Sequence, residues 1–155
     1  MDNNDIIRRI RYTFDLSDSK MMAIFSLADY EVTREQISDW LKKDEDPALK
    51  KINDVTLATF LNGFIIYRRG KKDGPQPVPE KRLTNNIVFT KLKIAMNLKA
   101  EDILEILNQS GVVISKHELS AFFRKPDHKH YRECKDQILR NFIHGLQLKY
   151  RVNPE

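Results

Sequence analysis

Apolar residues recur along this chain at helical spacing, and the whole pattern occurs twice. Ile6, Ile7, Ile10 and Phe14 form a first set near helical intervals, and Met21, Ile24, Phe25 and Ala28 form a second. Ile37, Trp40 and Leu41 make a short third set after Thr33, and Leu57, Phe60, Leu61 and Phe64 make a fourth. A shift of 82 residues lays residues 3–69 on 85–151 without a gap and finds eleven identities, among them Asn3/Asn85, Asn4/Asn86, Asp54/Asp136 and Gly63/Gly145. Apolar character is kept at further pairs, including Ile10/Leu92, Met21/Ile103, Ile37/Leu119 and Trp40/Phe122. The chain is an internal duplication.

Each copy predicts four helices. Asn3-Asn4 and Asn85-Asn86 offer capping residues for the first, and Ser17-Asp18 opens the second. In the other copy Ile103, Ile106 and Leu107 lead to Gly111, a fitting terminator. Thr33 and Ser115 cap the third helix, within Thr33–Lys43 and Ser115–Lys125, two stretches that share apolar side chains at their fifth, eighth and ninth positions. A polar loop follows, and Asp54 or Asp136 opens the fourth helix, where a carboxylate suits the dipole. Gly63 and Gly145 fall inside that helix. Glycine costs about 1 kcal/mol there against alanine, so another helix is expected to pack closely.

Between the copies, Gly74-Pro75-Gln76-Pro77-Val78-Pro79 cannot be helical and favours an extended linker. The expected architecture is all-α: two tandem four-helix repeats, 1–69 and 84–155, joined by a Pro/Gly-rich linker at 70–83.

Asn-Asp-Ile-Ile-Arg-Arg-Ile-Arg-Tyr at 4–12, Val-Thr-Arg-Glu-Gln-Ile-Ser-Asp-Trp-Leu at 32–41 and Leu-Asn-Gly at 61–63 resemble the duplicated bacterial YehS-like proteins, which carry two copies of a domain of unknown function. That resemblance covers essentially the whole chain and implies a bacterial cytosolic protein, with no activity to carry over. Residues 32–41 also resemble the recognition-helix segment of Cro and phage-repressor helix-turn-helix domains, with a Thr cap, a buried Ile and a Trp. One departure is visible in the second copy. Val112, Val113 and Ile114 intervene between Gly111 and the Ser115 cap, which lengthens the turn and alters the helix–helix angle.

Charge separates the two copies. Residues 1–70 carry net −1, the linker region 71–82 carries +2 and residues 83–155 carry +4, within a chain of 155 residues and net charge +5. This asymmetry permits a polyanionic partner. If Ile37, Trp40 and Leu41 point inward, the outward positions in the first copy are Glu35, Ser38, Asp39, Lys42 and Lys43. Two carboxylates there oppose phosphate. The matching positions in the second copy are His117, Ser120, Ala121, Arg124 and Lys125, with Lys116 beside them. Of these, Lys116, His117, Ser120, Arg124 and Lys125 form the candidate nucleic-acid-binding set. A plain solvated helix face would show the same residues.

Tyr67 and Tyr150, each flanked by bases, could stack on unpaired bases, although bases also collect at helix ends because the dipole favours them there. Lys71, Lys72, Lys81 and Arg82 would add nonspecific attraction or simply solvate the linker.

His128, His130 and Cys134 lie close in sequence but match no zinc spacing. Cys134 aligns with Ile52, which marks it as a small core hydrophobe, so neither a metal nor another cofactor is expected. Phosphate loops and the GxSxG and HExxH patterns are absent, so the chain does not read as an enzyme. The longest uncharged run, Val55–Tyr67, is too short to span a bilayer, and the polar amino terminus does not resemble a secretory signal. One cysteine suits a reducing cytoplasm. Two classes remain open: nucleic-acid association through the second repeat, or a protein-interaction module or adaptor that binds a protein partner or itself.

Overall fold

The computed structural model describes residues 1–151; the last four residues of the expected second repeat, 152–155, lie outside the described residues. Eight helices and no strands are present among them. They are α1 (Asn3–Phe14), α2 (Asp18–Leu27), α3 (Arg34–Trp40), α4 (Asp54–Arg69), α5 (Asn85–Ala95), α6 (Ala100–Gln109), α7 (Lys116–Ala121) and α8 (Asp136–Tyr150). No helix is long and apolar enough to cross a membrane among the described residues.

Local chemistry sets the helix starts. Ser17, Thr33 and Ser115 accept hydrogen bonds from the backbone N–H three residues on, and Gln36 and Glu118 reach back to complete capping boxes at α3 and α7. Gly111 takes φ +92° after α6, a left-handed turn that glycine enters without a Cβ penalty. Its mate Asp29 takes φ +58° at the same place after α2.

The first helices differ from expectation in a telling way. Asp2 and Thr84 cap them, and the paired asparagines lie inside the first turn. Asn4 is buried, donates to the carbonyls of Trp40 at 3.0 Å and Lys50 at 2.8 Å, and accepts from the Ile52 N–H at 3.0 Å. Asn86 repeats the set with Phe122, Arg132 and Cys134 at 3.0, 2.8 and 2.9 Å. One amide in each copy thus pins the irregular segment between the third and fourth helices. These carbonyls and N–H groups are backbone polar groups that would be costly to bury unpaired.

Contacts follow an approximate two-fold relation. Within each copy, α2 packs on α4 and α3, as α6 packs on α8 and α7. Between copies, α4 packs on α5 and α1 packs on α8. A single buried apolar cluster runs from Ile6 to Leu146 through both copies, so the repeats share one core. Phe89 meets Phe122, Phe123 and Phe142 with ring centroids 6.2, 4.9 and 4.4 Å away, and Phe14 meets Phe64 at 5.1 Å and Tyr150 at 5.8 Å.

The paired glycines behave as the spacing suggests. A Cβ on Gly63 would stand 2.0 Å from the Ile24 carbonyl oxygen, and one on Gly145 would stand 2.4 Å from that of Ile106. Neither distance is tolerable, so α2 and α6 can approach α4 and α8 this closely only over glycine.

Asp54 and Asp136 do more than favour a helix dipole. Asp54 accepts from Asn3 at 2.8 Å and from the backbone N–H of Leu83 at 2.8 Å, at the entry to the second copy. Asp136 accepts from Asn85 at 2.7 Å and from the Met1 amino group at 2.9 Å. Asp54 therefore ties its own copy's asparagine to the end of the linker, and Asp136 ties its own to the first residue of the other copy. The Asn85 bond and the Met1 amino charge hold the Asp136 carboxyl below its ordinary range.

Candidate functional site

The proposed α7 face is only partly a helix. α7 spans six residues, about 9 Å of axis, and the connection from α6 is six residues long, 110–115. Lys116, His117 and Ser120 lie on α7 and are exposed. Arg124 and Lys125 lie beyond its end, and Arg124 is half-buried while Lys125 is exposed. Ala121 does not face outward. It is buried, because the helix stops there and the chain turns back toward the core with Phe122.

The five candidate residues do share a region with others that sequence spacing did not assign to it. The His117 and His130 rings lie 6.5 Å apart, His128 and His130 lie 5.6 Å apart, and Arg124, Lys125, His128 and Lys129 line one shallow depression. Lys116 meets Glu101 at 2.9 Å, and both are largely exposed. Glu118 lies 3.6 Å from Arg132, and its bonds to Ser115 hold its carboxyl below the ordinary range. Residues 116–135 carry six bases and three acids, whereas the matching segment 34–53 carries five of each. In the first copy Lys42 meets Asp39 at 2.7 Å and Arg8 meets Asp44 at 2.9 Å, so cations there are more fully neutralised.

Cys134 lies in the core, 1% exposed, as its alignment with Ile52 requires. Burial pushes its thiol up to about 12, far from a nucleophile's range. Of the tyrosines flanked by bases, Tyr150 is half-buried and Tyr67 stays 40% exposed. Tyr150 lies against Phe14 and Tyr67 against Phe64 at 6.4 Å.

A second site has no counterpart in the sequence reading. A cleft of about 620 Å³ lies where α4 meets α5, with the linker along one side and the chain after α7 along the other. Ile65, Ile66, Pro75, Ile87, Ile94 and Phe123 supply much of its wall. Within it Lys91, 8% exposed, donates to the Asn62 Oδ1 at 2.5 Å and stands 3.1 Å from Glu80 Oε1. The second contact is an ion pair whose angle does not make it a hydrogen bond, which leaves that oxygen buried without a donor. Asn62 is 5% exposed, and its Nδ2 has no acceptor among the described residues. Arg124 Nε is buried and equally without one.

The equivalent contact between α8 and α1 is built differently. Thr90, Ile87 and Pro126 of the cleft have Arg8, Asp5 and Asp44 as their mates. Arg8 there donates to Asp5 at 2.5 Å, to Asp44 at 2.9 Å and to the Lys42 carbonyl at 2.6 Å. Burial works against the Arg8 charge, but Asp44 and Asp5 more than offset it and raise its pKa. Arg151 lies 3.6 Å from the Tyr12 ring centroid and donates to the Tyr12 carbonyl, whereas its mate Arg69 has Ile94 in place of that ring. Lys91 and Asn62 have as mates Arg9, half-exposed, and His144, exposed.

Comparison with known proteins agrees with this duplicated architecture. No solved structure matches the chain. It is similar to the "Uncharacterized protein YehS" of Escherichia coli (strain K12), 42% identical over 151 residues that cover 97% of each chain. The family described as "Protein of unknown function (DUF1456)" matches twice, at residues 3–70 and 85–151, and the chain belongs to that family as a tandem pair of its domains.

Proposed function

We propose that this is a non-enzymatic, cytoplasmic protein that associates with nucleic acid through the second repeat, using α7 and the segment that follows it. The observation that supports this most is the grouping of Lys116, His117, Lys125, His128, Lys129 and His130 around α7, in a segment twice as rich in bases as in acids. The first repeat offers no such excess. Contact with the phosphate backbone fits this surface better than groove reading. A six-residue α7 and a six-residue connection depart from the standard helix-turn-helix, whose turn holds three or four residues. Lys116 would exchange its exposed contact with Glu101 for a phosphate, and such surface pairs are weak enough to break readily.

A gel shift titrated in salt, with short duplex and single-stranded probes, tests the reading. Binding should appear at low salt and weaken steeply as salt rises. The triple variant Lys116→Glu, Arg124→Glu, Lys125→Glu should abolish it. Unchanged affinity in that variant overturns the proposed face, and no binding at low salt overturns the class. An interaction module is the second reading, favoured by the cleft between the repeats. It expects a folded protein indifferent to nucleic acid at every salt concentration.

A further inference from the structure

We propose that the α4/α5 cleft is a binding site for a small amphipathic acid, an aromatic or branched aliphatic body carrying one carboxylate. The size is right, since pockets for small molecules occupy about 300–1,000 Å³ and are mostly apolar with a few placed polar groups. The polar groups here are of one kind. Lysine can only donate, so the atom of Asn62 facing Lys91 must be Oδ1, and the orientation of the amide is thereby fixed. Its Nδ2 is then a donor without an acceptor, on a side chain 5% exposed that lines the cleft. Arg124 Nε is a second such donor, on another residue that lines the cleft. Buried donors without partners are uncommon and costly, and a ligand acceptor would relieve both.

Charge selects the acceptor. Four bases line the cleft, Arg69, Lys72, Lys91 and Arg124, against two acids, Asp73 and Glu80. Glu80 is committed to Lys91, and no carboxylate lies within ion-pair distance of Arg69, Lys72 or Arg124 among the described residues. A carboxylate near Arg124 and Asn62 would meet charge-assisted donors in a partly desolvated place, while its body covered Ile65, Ile66, Ile87 and Ile94. A cation would meet the wrong sign. The two-fold mate of the site supports the same conclusion by contrast. There Lys42, the mate of Arg124, already donates to Asp39 at 2.7 Å, and Arg8 donates to Asp5, Asp44 and the Lys42 carbonyl, so no acceptor is wanted.

The test uses the full chain, isotope-labelled, titrated by NMR with 2-naphthylacetate, its neutral amide and 2-naphthylethylamine. The acid should bind with shifts confined to the cleft, the amide at least about tenfold more weakly, and the amine not at all. Arg124→Gln, at a half-buried loop position, should weaken the acid at least about tenfold and leave the amide unchanged. Equal affinity for all three probes overturns the proposal, because only a greasy crevice would remain. So does an acid that fails to bind at millimolar concentration. Arg124 belongs to both candidate sets, but the acid titration contains no nucleic acid, so the fate of the nucleic-acid reading leaves this site untouched.

Discussion

Two seams hold the repeats together, α1 against α8 and α4 against α5, and the duplication makes them copies of one contact. Beside the first, Arg8, Asp5 and Asp44 form an ion network within the first repeat that ends in the Lys42 carbonyl, and across it Arg151 covers Tyr12. At the second, Thr90, Ile87 and Pro126 stand in those places, Ile94 replaces the tyrosine, and the linker brings Glu80 over Lys91. The buried scaffold stayed alike while its rim diverged. The linker crosses only the second seam, so the cleft there gains an apolar wall that the polar depression beside Arg8, Tyr12, Lys42 and Arg151 at the first seam lacks. A duplicated domain can in this way keep one copy of a contact for cohesion and release the other for a ligand.

The largest expected effect tests the part the copies share. Asn4→Ala removes the partner of two carbonyls and one N–H, and should cost about 3 kcal/mol or more in a denaturant titration. Asn86→Ala should cost a similar amount. A loss confined to one of them would break the claim that both asparagines do the same work. Arg8→Thr, which gives the first seam the residue of the second, should cost about 1–2 kcal/mol, because Asp5, Asp44 and the Lys42 carbonyl lose a shared donor. Stability unchanged in this variant would mean that the network contributes nothing to holding the first repeat together.

Cys134 and Ile52 occupy matching core slots, which makes a smaller, pH-dependent contrast. The folded thiol ionises near 12 and the unfolded one near 9.0, so its contribution is full below pH 9 and is lost as pH rises toward 12. The slope should approach about 1.4 kcal/mol per pH unit in that window. Cys134→Val should lack that component of the alkaline loss. An identical pH profile in the two proteins would contradict a buried, neutral thiol.

Most of the framework could be read in the sequence because it rests on local rules. Caps at Ser17, Thr33 and Ser115, the left-handed Gly111 and the paired glycines each involve residues close in sequence or a repeated spacing. The asparagines were misread for the opposite reason. Their partners lie 36–51 residues away, and a capping residue is the nearest local explanation. Helical period puts Ala121 outward, but it is the last residue of α7, where the chain turns into the core with Phe122. Nothing local marks Asn62, Glu80 and Lys91 as neighbours, since the linker's path decides it. A signal did exist in the repeat comparison. Three charged residues at 5, 8 and 44 become Ile, Thr and Pro at 87, 90 and 126, a coordinated loss of charge at positions that meet only in the fold.

The measurement closest to the central claim follows the 2-naphthylacetate titration at both seams at once. Backbone amides of Ile66, Thr90, Lys91 and Arg124 should shift and saturate together, while those of their mates Leu148, Arg8, Arg9 and Lys42 stay in place. Equal shifts at the two sets, or shifts only at the second, would contradict the claim that only the seam walled by the linker is a site for the acid.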